Sequence, residues 1–217
     1  MKTKDEFDPI SAHSSHAHPV YIFDFDGTIT TKDTFALFLV YYAGRLGWLW
    51  RIASLLHVFI GYKCGFLTRT DVKKKVIRRF FKNHPISQID ARAKAFATDI
   101  IPTLIRPAAQ TRLNQLKNTP ESLYICSASI LPYLKHWGAA QGITNIMATE
   151  LDSRDGYATG EILNRNVWGP GKIARINDQF LGKNVRVIEA YGDSRGDLEM
   201  LDAAEVSYWN PFRLKPI

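Results

Sequence analysis

The sequence predicts an α/β fold, a doubly wound parallel sheet with an all-helical segment inserted after the first strand. Three observations carry that reading. Short, nearly continuous apolar runs recur along the chain, as strands buried on both faces require. Segments of helical periodicity separate them. Carboxylates follow directly on two of the runs, at the place where an open α/β sheet presents ligand-binding groups, just beyond the carboxyl ends of its strands.

Taken in order, residues 1–19 read as a flexible polar lead-in with mixed charge and no apolar core of a secretory signal; His13, His16 and His18 belong to this solvated tail. Residues 20–23 (VYIF) are the first strand. From about 33 to 116 the apolar spacing is helical throughout. Val72, Val76, Ile77, Phe80 and Phe81 form one stripe opposite a basic face, and Thr68 with Asp71 forms a helix-starting pair. Residues 122–126 and 185–189 are further strands, Asp155-Gly156 sits in a plausible hairpin, Pro170 precedes a helix over 173–180, and 206–209 is a last strand. The domain reading is a core of residues 20–34 and 103–217 with a helical cap over 35–102.

With 217 residues, 46% of them hydrophobic and 23% charged, the chain is long and apolar enough for a self-sufficient core, which excludes wholesale disorder. Cys64 and Cys126 are too few for a disulfide framework or a thiolate zinc site, and a reducing compartment, the cytoplasm, is the expectation. The net charge of +7 is concentrated: Lys63, Arg69, Lys73, Lys74, Lys75, Arg78, Arg79 and Lys82 face a single acid, Asp71. Just before them, 35–62 is almost all apolar and aromatic, but Arg45, Arg51 and His57 interrupt it, and 52–60 falls short of the roughly 20 residues of a spanning helix.

Four motifs carry chemistry. Asp24-Phe25-Asp26-Gly27-Thr28 follows the first strand, and strand alternation is expected to send both carboxylates to one side, where their repulsion calls for a divalent cation. Ser127-Ala128-Ser129 follows the second strand; a hydroxyl there binds a phosphate oxygen or caps the next helix. Lys172 opens a helix after Gly169-Pro170-Gly171, a place suited to an anion, but Asn166 and Ile173 occupy positions where a P-loop needs Gly and Ser or Thr. Asp193 and Asp197 flank a helix start after the strand at 185–189; Asp197 also suits the N3 position of a Ser194 cap.

The order D-x-D-G-T, Ser, Lys, G-D-S-x-x-D-x-x-M-L, with spacings of 103, 45 and 21 residues between Asp24, Ser127, Lys172 and Asp193, resembles the haloacid dehalogenase-like superfamily of phosphohydrolases. The helical cap and the Ser-Ala-Ser motif look like subfamily IB, which holds phosphoserine phosphatases and phosphatidylglycerophosphatase C-like enzymes. The runs at 166–172 and 191–201 look most like the latter. The resemblance implies a Rossmann-like core and a Mg²⁺ cofactor held by Asp24, the Asp26 main-chain carbonyl and Asp193, with Asp197 behind them. It implies Asp24 as nucleophile through an aspartyl-phosphate, Asp26 as general acid and base, and Ser127, Ala128 and Lys172 on the phosphate. Asp33 and Lys73 stand where phosphoserine phosphatases carry a Glu and an Arg that meet substrate, and Gly196 where they carry an Asn.

Those departures point away from phosphoserine itself. The apolar stretch and the basic segment suit a phospholipid head-group phosphate such as phosphatidylglycerophosphate, with peripheral contact to an anionic membrane at its inner face. The alternatives are a phosphatase of a small soluble, phosphoserine-like metabolite, and a non-catalytic protein gripping anions or nucleic acid through 63–82. No nucleic-acid recognition motif accompanies that charge, so nucleic acid is the lesser expectation. The oligomeric state is left open.

Overall fold

The computed structural model describes residues 17–213. Six strands form one sheet in the order β4-β3-β2-β1-β5-β6: β1 His18–Phe23, β2 Leu123–Ile130, β3 Asn145–Arg154, β4 Tyr157–Leu163, β5 Val185–Gly192 and β6 Val206–Trp209. All neighbours are parallel except the β3–β4 hairpin. The turn of that hairpin holds Asp155 (φ 52) and Gly156 (φ 81), the positive backbone angles that favour this dipeptide. β1 lies centrally, and the chain order reverses between β1 and β5, the switch point of a doubly wound sheet.

Two apolar layers cover the sheet. Val20, Ile22, Tyr124, Cys126, Met147 and Val187 face Ile176 and Phe180 of one helix, α7 (Pro170–Phe180), and Met200 of α8 (Leu198–Asp202). On the opposite face Phe23, Leu123 and Ile125 meet α5 (Pro107–Gln115) and α6 (Leu131–Gln141). Alternate residues of β1 and β2 thus enter opposite layers, which is why these strands read as continuous apolar runs.

Between β1 and α5 lie α1 (Thr34–Ala53), α2 (Leu56–Lys63), α3 (Arg69–Phe81) and α4 (Ile86–Asp99). Thr68 and Asp71 form the reciprocal capping box at the start of α3. The helices join the second apolar layer directly. The Phe38 ring of α1 lies 6.1, 5.2 and 5.2 Å from those of Phe81, Phe96 and Tyr133, tying α1 to α3, α4 and α6. The link after α3 is also stitched to the hairpin, Asn83 N–H donating to Ala158 O (2.8 Å) and Ala158 N–H to His84 O (2.9 Å).

Three sequence expectations need correction. The lead-in ends before His18, because His18 and Pro19 already pair with Val185 and Arg186 of β5 and the His18 ring meets the Ser122 hydroxyl at 3.1 Å; His13 and His16 lie outside the described residues. β2 and β5 run on past 126 and 189, since a strand bonded on both sides does not end where its side chains turn polar. Lys73, counted with the basic residues opposite the apolar stripe of α3, lies instead on the inward face, three, four and seven residues before Val76, Ile77 and Phe80, and its amine bonds Ala128, Thr149 and Asn166.

Candidate active site

The site stands at the carboxyl ends of β1, β2 and β5. Asp24 is the first residue past β1, and its N–H donates to Tyr191 O of β5 (2.9 Å), fixing the backbone at the switch point. Its carboxylate is buried, accepting from the Thr28 hydroxyl (3.2 Å) and from the Lys172 ammonium (2.5 Å). Lys172, 1% exposed, also donates to the Asp197 carboxylate. Burial opposes its charge, but Asp24 and Asp197 outweigh it and hold the ammonium above the usual lysine range.

Asp26 reaches the same cavity by a turn rather than by strand alternation. β1 ends at Phe23, and residues 25–29 coil, with Gly27 at φ 80. The carboxylate of Asp26 accepts from the Thr34 amide (2.7 Å), the Thr34 hydroxyl (2.5 Å) and the Ser129 hydroxyl, so it also seals the N-terminus of α1. Burial and the nearby charge of Asp33 raise its pKa to about 6, with the Ser129 and Thr34 bonds opposing the shift. Asp33 itself is the N-cap of α1, accepting from Ala36 N–H (2.9 Å).

Gly27 has a steric role as well. A Cβ there would lie 2.1 Å from Asp193 Oδ2, so only glycine lets the Asp24 turn meet the loop after β5. Asp193 pairs with Arg213 (2.9 Å). Asp197 closes the loop, one oxygen accepting from Ser194 N–H (2.9 Å) and the Ser194 hydroxyl (2.8 Å) in the expected capping box. Burial would raise Asp197, but Lys172 and Ser194 hold it below the usual carboxylate range.

Asp24, Asp193 and Asp197 bring oxygens within 4.8 Å of one another. Burial raises Asp24 to about 7 and lifts Asp193 as well, with the charge of Asp197 adding to both. An oxygen-only donor set of three carboxylates, shared between the two cations Lys172 and Arg213, fits a hard divalent cation such as Mg²⁺. The Asp26 side chain is engaged with Thr34 and Ser129 and stands outside this cluster.

Ser127 is fully buried, its hydroxyl accepting from Ser129 N–H (3.1 Å), and 127–129 line the cavity beside Asp24. Lys73 reaches the same loop from α3, donating to Ala128 O, to Asn166 Oδ1 (2.9 Å) and to Thr149 Oγ1 (3.1 Å), 5.2 Å from the Phe35 ring. Burial pushes its pKa down to about 7, Asp26 and Asp33 pulling the other way. Gly196 has no room for a larger residue, since a Cβ would stand 2.3 Å from Trp168 Nε1.

The cavity measures about 720 Å³. Its floor is the polar cluster above, and its far wall is apolar, made by Leu39, Trp48 and Ile52 of α1, Phe59 of α2 and Val72 and Val76 of α3. Sequence reading missed Thr34, Asn166, Trp168 and Arg213. Asn166 and Trp168 adjoin the Gly-Pro-Gly-Lys motif, but they lie in an irregular segment whose side-chain directions no periodicity predicts.

A family model for haloacid dehalogenase-like hydrolases matches residues 21–202. Protein CicA of Caulobacter vibrioides is 32% identical over 209 residues, 96% of this chain and 93% of the relative. Among solved structures, a protein with unknown function from Bordetella pertussis Tohama I superposes with a TM-score of 0.74 at 21% identity, covering 88% of this chain and 89% of that one. A substrate-bound phosphoserine phosphatase complex gives 0.59 at 18% identity, covering 90% and 87%. The match over both motif-bearing halves of the sheet places this chain in the haloacid dehalogenase-like hydrolase family.

Proposed function

We propose that the chain is a Mg²⁺-dependent phosphomonoester hydrolase working through an aspartyl-phosphate, on an ester with a bulky apolar body such as the head-group phosphate of phosphatidylglycerophosphate. The observation that carries this reading is one cavity with two characters: a nucleophile-type carboxylate and a second carboxyl of raised pKa at its floor, and a hydrocarbon wall on the cap opposite.

In the first step an Asp24 oxygen attacks phosphorus, and Asp26, whose pKa raised to about 6 keeps a protonated fraction available near neutral pH, gives its proton to the departing alkoxide. In the second, ionised Asp26 takes a proton from water, whose oxygen attacks the same phosphorus and returns Asp24 as carboxylate. The Thr34 and Ser129 bonds aim Asp26 in both. Lys172, Ser127 and the backbone at Ala128 meet the non-bridging oxygens, where charge is neutralised in the transition state. Asp24, the Asp26 carbonyl and Asp193 would hold Mg²⁺, with Asp197 behind; the ion supplies electrostatic stabilisation of the transferring phosphoryl group. Residues 35–102 act as a cap that selects the leaving group. The placement of Lys73 on Ala128, Thr149 and Asn166 weighs against its serving as a free carboxylate-binding cation for phosphoserine.

The test is phosphate release by the purified protein from an aryl phosphate, phosphoserine and phosphatidylglycerophosphate in micelles, with Mg²⁺ and with chelator. Hydrolysis of all three at equal efficiency removes the lipid reading, and activity undiminished in chelator removes the metal.

A further inference from the structure

α1 breaks at Gly44 (φ 70, ψ 162), and from there to Phe66 the chain forms a cap tip that is apolar on both sides. Its inner stripe, Trp48, Ile52 and Phe59, is the hydrocarbon wall of the cavity. Its outer stripe is uncovered: Leu46 is 84% exposed, Trp50 73% and Phe66 84%, with Leu49, Leu56 and Ile60 beside them. Helices apolar all round belong where both faces are buried, and an exposed apolar patch of several large side chains marks a partner.

The charge around the patch identifies the partner. Residues 45–66 contain no Asp or Glu but carry Arg45, Arg51 and Lys63. Alongside, a groove of about 420 Å³ between α2 and α3 is lined by His57, Lys75, Arg78, Arg79 and Lys82 over Leu55 and Val58. Of these cations Arg78 has Glu161 at 3.5 Å and Arg79 the Ser54 hydroxyl, while Lys63, Lys75 and Lys82 have no acid within 4 Å among the described residues. A second copy of the chain docking face to face would set cation against cation. An anionic bilayer satisfies both halves at once: the apolar side chains enter the interface and the basic rim meets the head groups.

We infer that the outer face of the cap tip, Leu46, Leu49, Trp50, Leu56, Ile60 and Phe66 with its basic rim, docks on an anionic lipid surface. No helix among the described residues is long and apolar enough to cross a membrane, so the contact is interfacial. Because the same two short helices form the cavity wall, a lipid phosphate would pass from bilayer to Asp24 along a continuous apolar surface. That purpose rests on the function proposed above, whereas the docking itself does not.

The test uses the full chain with phosphatidylcholine vesicles, with and without phosphatidylglycerol. Binding is read by co-sedimentation and by quenching of tryptophan fluorescence with brominated lipid. Wild type should bind the anionic vesicles and lose them in high salt, as screened charges must. Leu46→Ser with Leu49→Ser and Trp50→Ser should weaken binding by roughly tenfold or more, these side chains being exposed and outside the lining of the cavity that holds the aspartates. Lys63→Gln, Lys75→Gln and Lys82→Gln should each cost roughly fivefold on anionic vesicles, and the three combined should remove most of the preference for anionic lipid. Aryl phosphate hydrolysis should be unchanged in all of them. Equal binding by wild type and the triple serine variant overturns the inference, as does a dimer in solution that the serine variant dissociates, which would give the patch to a second copy. Vesicle binding intact in a protein without aryl phosphatase activity would support the docking and sink the enzymatic reading.

Discussion

The carboxyl ends of β1 and β5 and the tip of the cap invert the usual distribution of polarity in opposite senses. At the sheet, Asp24, Lys172 and Asp197 are charged and buried. At the tip, Leu46, Trp50 and Phe66 are apolar and exposed. Each departure carries a free-energy cost in isolation, through desolvation in the first case and exposed hydrocarbon in the second. The first is offset internally, since Lys172 pairs with both acids and Asp197 accepts from Ser194. The second has no internal offset. The contrast teaches where each proposed partner would act: at the sheet Lys172 already pairs with both acids, and the proposed ion and phosphate would join that network, whereas the proposed partner of the tip would cover it from outside.

The sharpest way to break this comparison is to strike the sheet alone. Asp24→Asn keeps the side-chain volume and removes the proposed nucleophile, so turnover should fall by about four orders of magnitude on every substrate, with near-native circular dichroism. Asp26→Asn should lose about two to four orders and accumulate a base-labile phosphoprotein, since the second step lacks its base. Full activity in the Asp24 variant excludes the aspartyl-phosphate route.

The metal follows. At a hundredfold excess over its dissociation constant Mg²⁺ should raise unfolding stability by about 2.7 kcal/mol, read as a thermal shift that Asp193→Asn abolishes. Ca²⁺ should bind without supporting turnover, because its looser coordination misplaces the attacking oxygen. An unchanged melting temperature with saturating Mg²⁺ would remove the metal from the cluster.

The two regions were not equally legible. Asp24, Asp26, Asp193 and Asp197 sit within a few residues of strand ends, so local pattern reveals them together with the fold class. The hairpin and both capping boxes are equally local. A residue's charge does not reveal its face. Helical spacing puts Lys73 three, four and seven residues before Val76, Ile77 and Phe80, on the inward face of α3 and opposite Lys74, Lys75 and Arg78, so grouping it with the basic face follows its chemistry and not its period; its amine reaches Ala128, 55 positions along the chain. Asp26 departs from strand alternation because alternation holds only while the strand lasts, and this one ends at Phe23. Nor does the composition of residues 45–66 reveal which apolar residues line a cavity and which face out.

The cap wall offers a smaller effect that sharpens the comparison. Phe59→Ala removes hydrocarbon from the cavity while leaving the aspartates untouched. Its kcat/KM on a lipid phosphate should fall by roughly tenfold and that on an aryl phosphate by far less. Equal losses on both would mean that the wall supports the fold rather than the substrate.

The smallest effect tests the one residue that joins the two regions. In the unfolded chain Lys73 titrates at its ordinary value of 10.5, and in the fold burial brings it to about 7, Asp26 and Asp33 raising it and Arg69 lowering it further. Below pH 7 both states hold the proton and the fold carries the full cost of the buried charge. Between about 7 and 10.5 the unfolded chain binds the proton that the folded chain gives up, so stability rises with pH, by at most about 1.4 kcal/mol per unit. Lys73→Met has no such proton. The difference in unfolding free energy between wild type and Lys73→Met, from urea titrations at pH 6.5, 8 and 9.5, should therefore move in favour of wild type by on the order of 1 kcal/mol or more as pH rises. Groups common to both proteins cancel in that difference. A difference flat with pH would show that the amine keeps its charge in the fold, and the Ala128, Thr149 and Asn166 acceptors would then be holding a permanent cation between cap and sheet.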